Sequence, residues 1–409
     1  MNNNIIVVTG IGVVSSLGIG HQALWENLVG GKSGISRITR FDTSDLMSHN
    51  AGWIQDFDPK DFIQPSMIRR MDWPTRLIAV ATELAIEDAN LHVGEGMGDD
   101  IGLILNTTFG PVSTNQKYLL NIIEHGPREA SPMLFPNTVT NAAAGYIAQL
   151  HKLRGVSSVI LGASSIAYAF DMIRSGRADC IIAGGFEELS EVTYRLSSKM
   201  GFLATETNEL TEDSFPFHTN RNGFVLGEGA AVVVLESRRH AIERGANIYC
   251  ELASYGTVFD PSVNGNNQFR SVDPDLLTYS IQNALVLADC NPGEIDAVIA
   301  LALGTQDIDS AEAKSLKTVF SGRCSDLPLY AIKAKLGETV GAANAFAVVC
   351  ASLSIARGIL PSSNYYHYSE LQRPIVCSRG DVKNPRAILC NSLELSGNID
   401  AFVVRKLNA

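Results

Sequence analysis

At 409 residues the chain exceeds the roughly 250–300 residues that a single hydrophobic core usually serves, so two packed core regions or a duplicated domain are expected. Its 32 Lys+Arg against 43 Asp+Glu leave a net charge of −11, which argues against a nucleic acid or an anionic membrane surface as the main partner. Seven cysteines, at 180, 250, 290, 324, 350, 377 and 390, form no CxxC and no Cys/His cluster, so they are expected as buried thiols of a reducing, cytoplasmic compartment, without a zinc site or disulfides.

In chain order, Met1-Asn2-Asn3-Asn4 carries no basic run before Ile5-Ile6-Val7-Val8, so no secretion signal is expected. No window approaches ~20 continuous apolar residues, so no membrane span is expected either. Short β-branched runs predict strands at Ile5–Gly10, Ile101–Asn106, Ser157–Leu161, Asp179–Ala183, Ala230–Glu236, Ala297–Leu301, Ala387–Cys390 and Ala401–Arg405, alternating with small-residue helical stretches in the manner of an α/β fold. Two helical stretches, Gly162 to Gly176 and Gly341 to Gly358, are apolar on nearly every side and therefore belong inside a large protein. Both open with Gly-Ala and close with an Arg at or next to a Gly, a weak sign of internal duplication with halves of 1–245 and 246–409.

A series of motifs runs through the whole chain. It begins with Val8-Thr9-Gly10-Ile11-Gly12-Val13-Val14-Ser15, Gly31-Lys32-Ser33-Gly34-Ile35 and Arg69-Arg70-Met71-Asp72. It continues with Gly126-Pro127-Arg128, Ser131-Pro132, Asn141-Ala142-Ala143-Ala144-Gly145 and Ile182-Ala183-Gly184-Gly185. Phe215-Pro216-Phe217 and Asn222 to Ala230 (NGFVLGEGA) complete it. In this order they resemble the ketosynthases of fatty-acid and polyketide synthesis. The resemblance implies a thiolase-like fold, with duplicated α/β halves in a five-layered α-β-α-β-α arrangement.

The same resemblance says which chemistry to look for. Family members carry a Cys at a strand-to-helix turn as acyl acceptor and two His that support decarboxylation of malonyl-carrier protein. Counting from the two sides of the turn places the Cys at Val159 or at Ser164, a five-residue disagreement that suggests loss of the elbow between Leu161 and Gly162. Leu303 and Glu338 stand at the two His positions, and the C-terminal gate loop reads Asn391 to Ile399 (NSLELSGNI), with two glycines and both aromatics changed. Lys333 and Glu312 match a family Lys and Glu, expected as a retained structural ion pair. Cys180 and Cys350 lie in a strand and an apolar helix, where packing is the expected role, and the eight His, at 21, 49, 92, 125, 151, 218, 240 and 367, are expected in surface or capping positions.

These substitutions make the chain most like the chain-length factor, or β subunit, of type II polyketide synthases. That implies no enzyme on its own, a heterodimer with a catalytic ketosynthase α subunit, and an acyl carrier protein whose phosphopantetheine is the only cofactor of the system. Val112, Asn115, Gln116, Leu119, Met133 and Phe135 are the expected interface and tunnel residues, and Arg69 and Arg70 match a basic patch that meets the carrier protein. A divergent condensing or hydrolytic enzyme using Ser164 and a homodimeric scaffold remain alternatives.

Overall fold

Runs of Val, Ile and Ala that are buried on both faces build a mixed sheet, in the computed structural model that describes residues 5–94, 96, 98–264, 271–323, 327–362 and 382–407. Its strands are β1 (Ile6–Ser15), β2 (Gly18–Ile19), β3 (Ile101–Thr107), β4 (Ser157–Leu161), β5 (Cys180–Glu187) and β6 (Gly229–Ser237), followed by β7 (Cys250–Phe259), β8 (Ala297–Ile299), β9 (Leu329–Tyr330), β10 (Ala387–Leu393) and β11 (Asn398–Arg405). Among the described residues the spatial order is β9-β8-β10-β11-β7-β1-β6-β5-β3-β4, with β2 hairpinned onto β1.

The two halves of this sheet repeat one topology. From the centre outward, β1-β6-β5-β3-β4 runs antiparallel, antiparallel, parallel, parallel, and β7-β11-β10-β8-β9 does the same. Each half uses its first, fifth, fourth, second and third strand in that order. Within the sheet, among the described residues, the short pairing of Ile6–Val8 with Cys250–Leu252 joins them.

The principal helices are α1 (Trp73–Asp88), α2 (Val112–His125), α3 (Ala142–His151), α4 (Ser165–Arg174), α5 (Glu191–Lys199), α6 (Pro274–Leu287), α7 (Gln306–Val319) and α8 (Ala343–Arg357). The core separates into three apolar layers. α1 and α3 pack on the outer face of the first half-sheet, α6 and α7 on that of the second, and α4 and α8 lie between the two. This is the five-layered thiolase-like arrangement. α8 lies in the middle layer with its residues from 343 to 355 buried, so although Val340–Arg357 is long and apolar enough to cross a membrane, it is a core helix, as its all-round apolar sequence requires. Close layering also explains Gly12: a Cβ there would lie 1.8 Å from the Ala81 carbonyl oxygen of α1.

All eight sequence-derived strands exist, but β1, β3, β5, β6, β10 and β11 extend beyond the predicted bounds, β8 stops at Ile299 rather than Leu301, and β2, β7 and β9 have no predicted counterpart. β7 reads CELASYGTVF, where Glu, Ser, Gly and Thr break the apolar run. Tertiary partners absorb these polar groups: Glu251 pairs with Arg405 at 2.8 Å and the Ser254 hydroxyl donates to the Ala284 carbonyl. The cysteines among the described residues, 180, 250, 290, 350 and 390, are free thiols, whereas Cys324 and Cys377 lie outside the described residues.

Candidate functional site

Ligands of open parallel sheets meet the carboxyl ends of the strands, and here those ends from both halves converge. β4 ends at Leu161, and three residues lead into α4: Gly162, at φ +65°, Ala163 and Ser164. Ser164 is the N-cap, buried, its hydroxyl oxygen accepting from the Ala167 amide at 3.3 Å. The next residue, Ser165, donates to Asn106 Oδ1 at the end of β3, while the Asn106 amide donates to the Gly341 carbonyl at 2.6 Å, tying the β4–α4 connection to the approach to α8.

Of the gate-loop positions, 391–393 end β10, 398 and 399 begin β11, and 394–397 make the tight turn between them, which lies directly on the short connection from β4 to α4. Ser396 Oγ and Asn398 Nδ2 both donate to the Gly162 carbonyl, the latter at 2.5 Å, and a Cβ on Gly162 would lie 2.7 Å from the Ser396 Cβ. Glu394, at the start of the turn, accepts from the Thr108 hydroxyl at 3.0 Å and from the Asn344 amide at 3.3 Å.

Leu303 is buried in the apolar layer of α6 and α7, and it brings no titratable group to the site. Glu338 is also buried, and its carboxylate sits 2.6 Å from Lys333 Nζ and accepts the Val340 amide at 2.7 Å. The ion pair expected between Lys333 and Glu312 is therefore corrected: the short contact of Lys333 is with Glu338. Glu312 is instead held by the Leu301 and Ala302 amides, each at 2.8 Å, and by the Asn391 amide at 2.9 Å, and burial pushes its carboxyl upward while the Lys333 charge draws it down. The physical reason is that a carboxylate at position 338 competes for the same buried cation.

Further buried carboxyls surround the pair. Burial pushes Glu187 up to about 7, although the Thr107 hydroxyl and the Thr108, Phe109 and Gly341 amides bind it, and pushes Asp400 up to about 6. Glu394 rises to about 8 through burial first and then through the adjacent Asp400 charge. Sequence reasoning missed Glu187, Asn344 and Asp400. Their signal was a polar residue at the end of, or inside, an otherwise apolar element.

Cys180 and Cys350 are fully buried, with thiols pushed far up and up to about 12 respectively, the opposite of an activated nucleophile. His151 departs from the expected surface role: it is buried against α1, its Nε2 3.4 Å from Glu83, and burial holds its imidazole down at about 4. His367 lies outside the described residues.

The expected interface residues lie together on one side of the molecule. Val112 and Asn115 are half-buried on α2, Gln116 is exposed, and Leu119, Met133 and Phe135 are 54%, 67% and 61% exposed. Leu120, Ile123 and Val139 are exposed in the same region, Leu120 and Met133 lining one groove. α5, which packs on α2, adds an exposed stripe of Val192, Leu196 and Met200. β4 is the sheet edge on the first half, paired only with β3 among the described residues, and its Leu161 is exposed. The α5 stripe was legible as i, i+4, i+8 spacing.

Comparison with known proteins gives a consistent result. The family models for the N-terminal and C-terminal domains of beta-ketoacyl synthase match residues 3–241 and 249–367. The chain is 32% identical over 371 residues to 3-oxoacyl-[acyl-carrier-protein] synthase 2 of Staphylococcus aureus (strain MRSA252), covering 87% of this chain and 86% of that protein. It is 31% identical over 369 residues to the protein of the same name from Coxiella burnetii (strain RSA 493 / Nine Mile phase I), covering 88% of each. Among solved structures, the ishigamide ketosynthase/chain length factor superposes with a TM-score of 0.90 at 27% identity, covering 99% of this chain and all of that one. One chain of the structure of a type II PKS acyl-carrier protein in complex with its ketosynthase bound to the hexaketide superposes at 0.85 and 25% identity, with the same coverage.

These relatives overturn one expectation. The chain was expected to be no enzyme on its own, yet the proteins it matches along most of their length are named as synthases, and the substitutions at positions 303 and 338 do not by themselves show an inactive subunit.

Proposed function

The chain belongs to the beta-ketoacyl synthase family, and from that premise we propose that it acts in carrier-protein-dependent acyl condensation as one half of a paired synthase, holding the place of a chain length factor beside a ketosynthase α subunit. The observation that carries this reading is the face formed by the β4 edge, α2, α5 and residues 133–139, which is unpartnered among the described residues. An open strand edge beside Leu119, Ile123, Met133, Phe135 and Leu161 is a surface that a lone chain would have to shield from aggregation. A partner seated there covers both.

In this reading Val112, Asn115, Gln116, Leu119, Met133 and Phe135 line the tunnel that receives the growing malonyl-derived chain. Arg69 and Arg70, both exposed, present positive charge to the acidic carrier protein. Phosphopantetheine on that carrier supplies the thioester, and no other cofactor enters the scheme.

The test is reconstitution with a co-expressed ketosynthase and a loaded carrier protein. Val112→Trp or Gln116→Trp should shorten the products while the complex stays intact. Unchanged product length from an intact complex refutes the tunnel assignment, and a native mass showing only a homodimer replaces the pair with a self-paired scaffold.

A second reading, in which Ser164 itself takes the acyl group, is favoured by its place at the N-terminus of α4, where backbone amides stabilise developing negative charge. Incubation with acyl-carrier protein followed by peptide mapping decides it: an adduct on Ser164 supports this reading, and none refutes it.

A further inference from the structure

Two carboxyl groups meet in the middle layer beside a row of oxygen-bearing side chains. Asp400 of β11 stands opposite Ser392 of β10 and opposite Thr257 of β7, so the three line one face of neighbouring strands. Glu394, one of the changed gate-loop positions, joins them from the turn. From α8 the Asn344 amide reaches both carboxyls, Glu394 Oε1 at 3.3 Å and Asp400 Oδ2 at 3.4 Å. Both contacts are long for a bond to a carboxylate.

Acceptors outnumber donors in this cluster. Asn344, 1% exposed, leaves Oδ1 buried with no partner, and Ser392, 2% exposed, leaves Oγ buried with none. A buried polar atom without a partner is costly, and two of them next to two carboxyls point to a bound group that accepts electron pairs. The strongest charges acting on Glu394, those of Asp400, Glu338 and Glu187, are all negative. Lys333, the cation beyond them, is engaged with Glu338 at 2.6 Å.

Every ligand atom on offer is an oxygen. The Thr108 hydroxyl at Glu394 and the Thr257 hydroxyl at Asp400 extend the set. Carboxylate, carbonyl and hydroxyl oxygens select hard cations. Among the described residues no three His, Cys, Asp or Glu side chains are grouped to hold an ion, so the cluster does not offer a zinc-type set. The two ends of an amide have nearly the same shape, so a half-turn of Asn344 presents Oδ1 to an ion within reach of both carboxylates. Thr257 is exposed whereas Asp400 and Ser392 are buried, which gives the ion a way in along the row.

We propose that Glu394, Asp400, Asn344 and Ser392 form a binding site for one hard, oxygen-ligated metal cation of the calcium, magnesium or potassium kind. The ion neutralises the facing carboxylates, satisfies both unpartnered oxygens and fastens α8 to β10, β11 and the turn between them. Protons compete for the same carboxylates, so ion binding releases them. The site lies within this chain and stands or falls independently of any partner and of the acyl chemistry.

The full-length protein, stripped with a chelator, is titrated separately with calcium, magnesium and potassium chloride at constant ionic strength. Thermal unfolding and elemental analysis after gel filtration are the readouts. The melting temperature should rise with the concentration of at least one of these ions, with one equivalent retained, and the three arms identify which. Asp400→Asn and Glu394→Gln should each weaken that response at least about tenfold, since even an outer-shell ligand change costs that much. Asn344→Asp separates the ion from a plain hydrogen bond. With an ion it adds a third carboxylate and binds at least as tightly, folding in the presence of the salt even if it does not fold without it. If Asn344 serves only as an amide donor between two carboxyls, Asn344→Asp is destabilised in every salt and responds to none, which overturns the site. A parent that retains no ion and melts at the same temperature in all three salts overturns it as well, as does an undiminished response in Asp400→Asn.

Discussion

Replacing Lys333 by Met tests whether the site is organised around a buried ion pair. Lys333 Nζ and Glu338 Oε2 are 2.6 Å apart, and the side chains are 8% and 4% exposed. At an effective dielectric of about 20, unit charges at that distance attract by roughly 6 kcal/mol. Taking each ion out of water opposes this by several kcal/mol, so the intact pair contributes little net stability. Removing the cation alone is different, because Glu338 is then left charged in a buried site and Glu312 loses the nearby charge that draws its carboxyl down. The expected loss for Lys333→Met is about 3–5 kcal/mol, the range for a broken buried pair, measured by urea unfolding at pH 7 with the slope unchanged. Adding Glu338→Leu should bring the double variant back to within about 1 kcal/mol of the parent, since an apolar pair of similar volume replaces an ion pair with little change. A loss below about 1 kcal/mol for the single variant, or a double variant as unstable as the single, refutes the argument.

Stability should fall as pH rises from 6.5 to 8.5. Glu394 at about 8 and Glu187, Glu188 and Asp309 at about 7 hold protons in the folded chain that the unfolded chain has already released, so their contribution is complete at low pH and is lost as pH rises through these values. His151, held near 4 by burial, acts only below its ordinary value and in the opposite sense, destabilising the fold as pH falls from about 6.5 to 4. A urea midpoint that rises between pH 6.5 and 8.5 contradicts the carboxyl assignment. Glu228→Gln should cost roughly 2–3 kcal/mol, because that buried carboxylate accepts from Arg40 at 2.6 and 2.8 Å, from Trp73 Nε1 at 3.0 Å and from the Ile54 and Leu189 amides. An unfolding midpoint equal to that of the parent contradicts this. Ile123→Lys, at a position 77% exposed, should leave circular dichroism and stability within about 0.5 kcal/mol of the parent yet abolish pairing on native mass measurement. Retained pairing places the interface elsewhere.

Much of the framework was legible because apolar periodicity and β-branching are local signals. β4 matches its predicted bounds at Ser157–Leu161, and α4 and α8 lie within the two stretches marked by all-round apolarity. β7 was not legible, since its Glu, Ser and Gly become acceptable in a strand only once Arg405, Ala284 and the neighbouring strands supply partners. Positions 303 and 338 were also readable, as substitutions within otherwise matching motifs. The expectation drawn from them, that the chain is no enzyme, did not survive comparison with relatives named as synthases, because a motif records which side chain is present and not what the surrounding groups make of it.

The α/β class, the buried helices and the order of the motifs were readable before folding was considered, because all are properties of residues close together in the chain. It took the folded chain to show that Lys333 turns to Glu338 rather than to Glu312, that the 394–398 turn rests on Gly162, and that the charges of Glu187 and Asp400 act on the buried Glu394. Ion pairing and desolvation depend on distances between groups that lie up to hundreds of residues apart in the chain, and those distances exist only after the two half-sheets have closed around their central helices.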